Sequence, residues 1–553
     1  MKQILKYTKF ISGAFLTGSL LFTSCTDQFE KWNINPNEVT PEQMTYDNLN
    51  TGAYFTQMVK GVFIVGKSAD GVGLGGRYQI TEMLTGDIFA SYIANINTYS
   101  YTTYHNDHYA LYRDWYNAPF NDAYTNVMQP WKSIVEKTDE SSPARAMATI
   151  VKVLGMSRIT DMYGPIPYSK FGTSIQVPYD SQKDVYYQFF DELEDAIKVL
   201  TEYSNANSAN YMEQYDYIYS GNVAKWIKFA NTLRLRLAMR ISFVDKTKAT
   251  EEAAAAIGHS YGLMTSTSDS AILHQMTSFT FTNPLWEVSE SFHDMRMGAT
   301  MDCYLNGYND PRLSKYFRPT VKNGGYHGVR NGLTGISKDA YKEAASGLNF
   351  DENSNMQWMD AAEAYFLLAE AKLRLGLGSE TVQTYYEEGI RTSFSSKGAT
   401  GADAYIADKD SRPLETYTDP TTNRGTSVSS SLSQRGIAWE EDVSEEIKLE
   451  RIMIQKWLAL YPDGQEAWSE MRRTGYPGFV RISSYNYTNE VKSNELISRL
   501  KFPTTEYSDN SQNTQAAVSL LGGGGVIERL AGQRVYIPRL QQLRTNILFC
   551  QKL

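Results

Sequence analysis

The sequence predicts a mainly α-helical protein, with a degenerate tetratricopeptide-like scaffold of helix hairpins and large irregular loops that form the ligand face. Three observations predict it. Apolar residues recur every three or four positions in several segments, Gly, Pro or Asn separates most of these segments, and three long stretches are rich in Gly, Ser, Thr, Asn and Tyr. Hydrophobic residues make up 42% of the 553 positions, which supplies a core and excludes a disordered chain. The net charge of -9 argues against a nucleic-acid binder.

The N-terminus predicts an exported protein on a lipid anchor. Basic residues precede the short apolar run Phe10–Phe22, which is too short to cross a bilayer. A small residue, Ser24, stands directly before Cys25, as in the lipobox of bacterial lipoproteins. A plain signal peptide with an incidental Cys25 is the alternative. The expected organisation is a signal peptide over residues 1–24, the lipidated Cys25 and a tether over 25–44, and one helical domain over 45–553.

The helical periodicity is clearest in five segments, and two of them indicate a hairpin. A helix from Asp360 to Leu375 is followed by Gly376 and a second helix from about Ser379, as in one tetratricopeptide-type pair. The apolar positions are Phe120, Ala123, Val127, Trp131 and Ile134; Val185, Phe189, Leu193, Ala196 and Leu200; Trp226, Ala230, Leu233, Leu237 and Ile241; Ala364, Leu368, Ala371 and Leu375; and Ile447, Ile454, Leu458 and Tyr461. Residues 66–112, 258–350 and 398–440 are predicted to be non-helical.

Aromatic residues are concentrated in the loops, which points to a ligand with apolar faces and polar edges. Sugar rings have such faces, and their hydroxyls need amide, carboxylate or guanidinium partners. Core packing is the competing explanation for Trp115, because it opens a periodic helix. The candidate ligand-binding residues are Arg77, Tyr101, Tyr104, Trp115, Trp286 and Tyr326.

Signals for metals and catalysis are weak. Asp351, Asn353 and Asn355 begin like a calcium loop but lack its Gly and Glu, so no cofactor is expected and only an irregular calcium site stays open. His105 and His108 are interpreted as surface residues of a polar loop. Carboxylate pairs suitable for glycoside hydrolysis arise by chance among 62 acids, and no nucleophile elbow is present, so an enzyme is not expected.

Cysteine usage leaves one question open. Once Cys25 is assigned to lipidation, Cys303 and Cys550 remain. An exported protein permits a disulfide, but the sequence does not show whether these two residues meet.

A series of motifs identifies the chain by resemblance. It resembles the SusD/RagB family of outer-membrane nutrient-binding lipoproteins of Bacteroidetes, from the lipobox almost to the C-terminus. The matching residues, in order, are Asn35–Asn37, Tyr163–Tyr168, Asp310–Leu313, Ala364–Ala371, Trp468, Arg472–Pro477, Arg499–Pro503, Glu506, Asn510 and Asn513. These are mostly structural motifs, with Arg472 and Arg473 expected to pair or cap within the scaffold. Arg534–Pro538 departs from the familiar members and indicates a divergent branch.

The resemblance implies a cell-surface lipoprotein of the outer membrane that captures an oligosaccharide and caps a SusC-like TonB-dependent transporter. The helices would face the transporter and the loops would hold the ligand. Peptide binding on the same architecture, as in the RagB-like branch, is the alternative, and an exported glycosidase is a remote one. Partners are therefore the ligand, the transporter and the membrane through the N-terminal lipid, with no nucleic acid.

Overall fold

The computed structural model describes residues 48–66, 74–98, 105–207, 209–483, 491 and 495–523. The chain divides into two compact units, Met1–Asn50 and Thr51–Leu553, and only residues 48–50 of the first are described. The predicted signal peptide, Cys25 and the tether therefore lie outside the described residues, and their assignment stays a prediction.

Helices make up most of the described chain, as the sequence predicts. The α-helices are α1 (Leu49–Gly61), α2 (Leu74–Tyr78), α3 (Arg113–Ala123), α4 (Gln129–Val135), α5 (Pro143–Tyr163), α6 (Gln182–Ala206), α7 (Val223–Ile241), α8 (Lys246–Gly258), α9 (Pro284–Trp286), α10 (Ala299–Gly307), α11 (Leu313–Tyr316), α12 (Lys338–Ala344), α13 (Ala361–Leu375), α14 (Val382–Lys397), α15 (Ala402–Ile406), α16 (Glu445–Leu460), α17 (Gly464–Thr474), α18 (Thr504–Asp509) and α19 (Ser511–Leu521). Three π-helical stretches cover Gln79–Asp87, Tyr124–Met128 and Glu287–Ser291, and 3₁₀ turns cover Asn106–His108 and Thr267–Asp269.

The strands are short and pair only in twos. Strand β1 (Ile93–Asn95) pairs antiparallel with β3 (Met295–Met297), and β2 (Ala271–Leu273) pairs antiparallel with β4 (Met356–Met359). Strands β5 (Thr416–Thr418) and β6 (Gly425–Ser427) form a local hairpin. The β1–β3 ribbon joins segments about 200 residues apart in sequence, so it ties distant loops together.

The predicted helix hairpin is confirmed. The Asp360 side chain accepts the N–H of Ala362 at the start of α13, and Gly376 ends that helix in the left-handed conformation with φ 74°. Thr381 caps α14, which begins at Val382 and packs against α13 along its length. The periodic apolar residues of α6 and α7 are likewise buried. Amphipathic periodicity therefore located α6, α7 and the α13–α14 hairpin correctly.

All three stretches predicted to be non-helical contain helices, and the one over residues 398–440 holds only the short α15. Residues 66–112 hold α2 and the π-helix Gln79–Asp87, and residues 258–350 hold α10 and α12. The π-helix carries polar residues that are almost all buried, so it shows no apolar stripe in the sequence. Helix α12, which is capped by Ser337, is only seven residues long. It has too few turns to show a periodic pattern in the sequence.

Helices α13 and α17 are joined by buried ion pairs. The guanidinium of Arg473 donates from Nη1 and Nη2 to the two carboxylate oxygens of Glu370, each at 2.7 Å. It also donates from Nε to Glu470 at 2.8 Å, and all three side chains are buried. The ammonium of Lys456 on α16 donates to Glu470 at 2.8 Å. The predicted scaffold role of Arg473 is thus what the structure shows.

The same network reaches α7 and α5. Arg240 on α7 donates to Glu470 at 2.6 Å and to Glu466 at 2.5 Å, and its Nε lies 3.2 Å from the Asp161 carboxylate on α5. Because charges in a low-dielectric core are costly unless they are paired, the network fixes the mutual placement of five helices.

The π-helix Gln79–Asp87 is anchored to α5 and α17 by a second charged cluster. Arg158 on α5 donates to Glu82 at 2.6 Å and to Asp463 at 2.8 Å, and the N–H of Gly464 donates to Asp87 at 3.1 Å. Burial raises the pKa of Glu82 to about 7, against the opposing charge of Arg158. The Arg158 guanidinium thus pairs with the carboxylates of Glu82 and Asp463, and the carboxylate of Asp87 lies close by.

Two glycines allow the π-helix and α17 to touch backbone to backbone. A Cβ added at Gly86 would lie 2.5 Å from the Cα of Gln465, and a Cβ at Gly464 would collide with the Cα of Asp87. Real Cβ atoms do not approach backbone this closely, so both positions require glycine for the observed packing.

We expect Glu370→Ala to lower the free energy of unfolding by about 3–5 kcal/mol, because it leaves the Arg473 guanidinium buried with fewer partners. The matched control is Asp351→Ala, whose carboxylate is 88% exposed and pairs with Arg318 at the surface. Urea denaturation of both variants checks this. Equal losses in the two variants would contradict a special role for the buried pair.

We expect Glu82 to lower stability as pH rises from about 4.3 to about 7. Its folded pKa lies above the value of about 4.3 for an exposed Glu, so its contribution to stability is fully present below about pH 4.3 and is lost by the pH at which the folded carboxyl has ionised. The isosteric Glu82→Gln variant cannot titrate and should lose less Tm than the wild-type chain between about pH 4.5 and 7. Calorimetry at several pH values measures both slopes, with Glu136→Gln, at an exposed glutamate, as control. Parallel curves for wild type and Glu82→Gln would show that the prediction is wrong.

Candidate functional site

The β1–β3 ribbon is the point at which the loop segments converge. Asn95 of β1 faces Met295 of β3, and every residue of both strands is buried. The backbone at Gly298 then pairs with Val329, so the segment before Arg330 lies alongside the far end of β3. β1 leads into the aromatic segment that starts at Tyr99 in the sequence. The segments before β3, after β1 and before Arg330 therefore all adjoin the β1–β3 ribbon.

Trp286 lies immediately before this ribbon. It ends α9, whose N-terminus is capped by the Asn283 side chain: Oδ1 accepts the N–H groups of Leu285 and Trp286. The Trp286 side chain is half-buried, so part of the indole is open to solvent. The π-helical turn Glu287–Ser291 carries the chain from here to β3.

Arg77 belongs to α2, which packs against α9. Its guanidinium is engaged by two parallel contacts to the Asp122 carboxylate on α3, with Nε donating at 2.5 Å. The side chain is 34% exposed, so one edge of the guanidinium faces solvent while the other is held in a fixed plane. The structure thus brings the elements that carry Arg77 and Trp286 together.

Tyr326 lies in the loop between α11 and α12 and is half-buried. Its carbonyl oxygen accepts the side-chain amide of Asn306 at 3.1 Å, and the Arg330 guanidinium donates to the carbonyl of Arg481 at 2.6 Å. At about 3.3 Å per residue, Gly298 is roughly 10 Å along the strand from Met295. Tyr326 is therefore supported by the end of β3 that is farther from Trp286. We use the name ribbon face for the segments that carry Arg77, Trp286 and Tyr326, each of which contacts the ribbon or the turn that leads into it.

Trp115 is placed differently from these three residues. It lies in the first turn of α3, is 7% exposed and meets the ring of Tyr112 edge-on at 5.2 Å between centroids. The core-packing alternative for Trp115 is what the structure shows. Tyr101 and Tyr104 lie outside the described residues, so their proposed role stays a prediction.

The interpretation of His105 and His108 as surface residues is wrong. His108 is buried and His105 half-buried in a 3₁₀ turn beside Asp107, whose carboxylate oxygens lie 4.0 Å from the ring nitrogen of His105 and 3.8 Å from that of His108. Burial raises the pKa of Asp107 to about 6, opposed by His105. The neighbouring Asn106 amide donates to the carbonyl of Leu84 at 2.6 Å, which ties this turn to the π-helix. The sequence around Asn106 contains no pattern that predicts its contact with Leu84.

Two of the three side chains of the calcium-like segment, Asp351 and Asn355, have protein partners. Asp351 accepts from Arg318 at 2.9 Å, and the side-chain oxygen of Asn355 accepts the N–H of Gln275 at 2.9 Å. Within the described ranges, no group of three or more His, Cys, Asp or Glu side chains is arranged to hold a metal.

The remaining thiol and the helices add two facts. Cys303 on α10 is a free, buried thiol, and burial raises its pKa well above the usual range; Cys550 lies outside the described residues. None of the helices that the structure describes combines the length and apolar character needed to span a membrane.

Comparisons with known proteins agree with this architecture. The family model described as SusD-like, Susd and RagB outer membrane lipoprotein, matches residues 31–530. A chitin-binding SusD homologue from Flavobacterium johnsoniae is 35% identical over 88% of this chain and 99% of its own, with a TM-score of 0.82. SusD homologues from Bacteroides uniformis ATCC 8492 (35% identity, 88% and 99% coverage, TM-score 0.79) and Bacteroides vulgatus ATCC 8482 (31%, 88% and 98%, 0.81) are similar as well.

A search among curated proteins gives no match. The family model nevertheless covers most of the chain. Solved homologues above 30% identity align with this chain over nearly their whole length. The chain therefore belongs to the SusD/RagB family of outer-membrane lipoproteins.

Proposed function

We propose that the protein is a surface lipoprotein of the outer membrane that binds an oligosaccharide on the ribbon face and delivers it to a SusC-like TonB-dependent transporter. The family match supports the membrane location, and the predicted lipidation of Cys25 would supply the anchor. The ligand class is supported by the positions of Arg77, Trp286 and Tyr326 on segments that adjoin the ribbon or the turn that leads into it, and by the aromatic residues that follow β1 in the sequence.

The side-chain chemistry of the ribbon face suits a glycan. A half-buried indole offers a flat apolar surface to the C–H face of a sugar ring, and a phenol adds a second ring with a polar tip. The Arg77 guanidinium, held in one plane by Asp122, presents N–H donors in fixed directions to hydroxyl or carbonyl oxygens. Because the Asp122 pair orients Arg77 before any ligand arrives, little side-chain entropy is lost on binding.

Chito-oligosaccharides are the first ligands to test. The Flavobacterium johnsoniae homologue, a chitin-binding protein, is 35% identical to this chain. N-acetylglucosamine adds an acetamide to the sugar ring, and this group both donates and accepts hydrogen bonds. No catalytic role is assigned, since family members are binding proteins.

The full-length lipoprotein in detergent should bind one class of oligosaccharide in a calorimetric panel of chitohexaose, cellohexaose, maltohexaose and a mixed peptide pool. Chitohexaose binding with weaker cellohexaose binding would assign recognition to the acetamide, because the two chains share their β-1,4 linkage. Binding of the peptide pool alone would contradict the proposal and favour the peptide alternative. Release of shorter sugars during the titration would contradict the assignment as a non-enzyme.

Trp286→Ala should weaken binding of the glycan found in that panel by about 5- to 30-fold, the usual effect of removing an aromatic anchor worth 1–2 kcal/mol. Trp439→Ala is the matched control, since Trp439 is also half-buried but packs on Tyr386 of α14. Titrations are compared only between variants that keep the wild-type Tm. An unchanged affinity for Trp286→Ala would remove this ring from the site.

A further inference from the structure

One buried carboxylate gathers side chains from three distant segments of the ribbon face. Oδ2 of Asp294 accepts the side-chain amide of Gln79 at 2.9 Å, and Oδ1 accepts the side-chain amide of Asn97 at 2.8 Å. The Lys338 ammonium donates to the same Oδ1 at 2.6 Å. These partners lie 215, 197 and 44 residues away in sequence.

Each partner sits at the start or end of an element of the ribbon face. Gln79 opens the π-helix directly after α2, which carries Arg77. Asn97 follows β1 at the point where the chain enters the aromatic segment. Lys338 is the first residue of α12, which follows the loop of Tyr326. The three side-chain bonds therefore reach three separate parts of the face.

The backbone of Asp294 adds a fourth connection. Its N–H donates to the carbonyl of Val288 at 3.0 Å, in the turn that follows Trp286, and its own carbonyl accepts the N–H of Ile96 at 2.8 Å. The preceding residue, His293, has φ 56°, so the chain turns sharply just before Asp294 enters the ribbon. A non-glycine residue in this conformation is held by its surroundings, here by the contacts on both sides of Asp294.

A carboxylate suits this position better than an amide. Asp294 is 5% exposed, so its charge requires partners inside the protein, and three donors supply them. An Asn would offer one acceptor oxygen and would turn an N–H₂ group towards one of these donors. The Lys338 side chain, 37% exposed, supplies the opposite charge from the solvent side.

We propose that Asp294 is the positioning residue of the ribbon face, which it holds in one arrangement by joining the segments of Gln79, Asn97, Trp286 and Lys338. The inference rests on the proposed function only for the statement that this arrangement binds a ligand. Asp294 contributes no stacking surface and is assigned no direct ligand contact. It acts through the residues whose segments it connects.

The test measures backbone amide hydrogen exchange by mass spectrometry on the full-length protein without ligand. Asp294→Ala should accelerate exchange by about tenfold or more in residues 79–98 and 284–298 and in α12, while α13 and α17 keep the wild-type rate. Asp294→Asn retains one acceptor and should give an intermediate acceleration. Lys338→Met removes one of the three donors and should accelerate exchange only in α12.

Asp351→Ala is the control, because it removes an exposed carboxylate without a connecting role and should leave all these segments unchanged. Wild-type exchange rates at residues 79–98 and 284–298 in Asp294→Ala would overturn the proposal. A uniform acceleration that includes α13 and α17 in both Asp294 variants would overturn it as well, since Asp294 would then serve the whole fold rather than this face.

A second measurement separates this proposal from the proposed function. The affinity of the Asp294 variants is measured for whichever oligosaccharide of the calorimetric panel the wild-type chain binds, and a loss of about tenfold or more is expected at unchanged Tm. If no oligosaccharide binds to the wild-type chain while the segmental exchange result holds, the positioning role stands and the assigned ligand class fails. If glycans bind and exchange is unaffected, the positioning role fails alone.

Discussion

The helical scaffold depends on a network of buried charges in which arginine and lysine side chains are paired with carboxylates from other helices. Arg473 pairs with Glu370 and Glu470, and Arg240 and Lys456 extend the network to α7 and α16. Such pairs add little net stability over a well-packed apolar core, but an unpaired member is very costly. The network therefore acts mainly through geometry: the helices can move relative to one another only if charges are separated inside the protein.

The ribbon face is attached to this scaffold through its own polar contacts. The π-helix that follows Arg77 is tied to α5 and α17 through Arg158, and the ribbon is tied to the π-helix through Asp294 and Gln79. Hydrogen bonds and ion pairs are directional, so they specify the orientation of loops better than apolar contacts do. A face built on short helices and three-residue strands gains its order from these bonds because it has little periodic packing of its own.

The sequence predicted the scaffold helices where one face is apolar and the other polar, as in α6, α7 and α13. It did not reveal α5, which is buried almost all round and has no amphipathic period. It did not reveal α17 either, a short helix whose charged residues are buried, most of them in ion pairs. It indicated Trp286 and Tyr326 as candidate ligand-binding residues because ring-rich loops are visible locally. Asp294 escaped notice because its partners Gln79, Asn97 and Lys338 are adjacent only after folding, and Trp115 shows that a ring at a helix start can equally belong to the core.

The backbone contact at Gly86 and Gly464 has a consequence for how this architecture can diversify. Substitutions in the loops around the ribbon leave that contact untouched, so these loops can change without moving the π-helix against α17. A shift of the π-helix against α17 is different, because any side chain at either glycine meets backbone atoms of the other element. The two glycines therefore fix where the ribbon face is attached to the helices, while the sequence of its loops is not constrained by this contact.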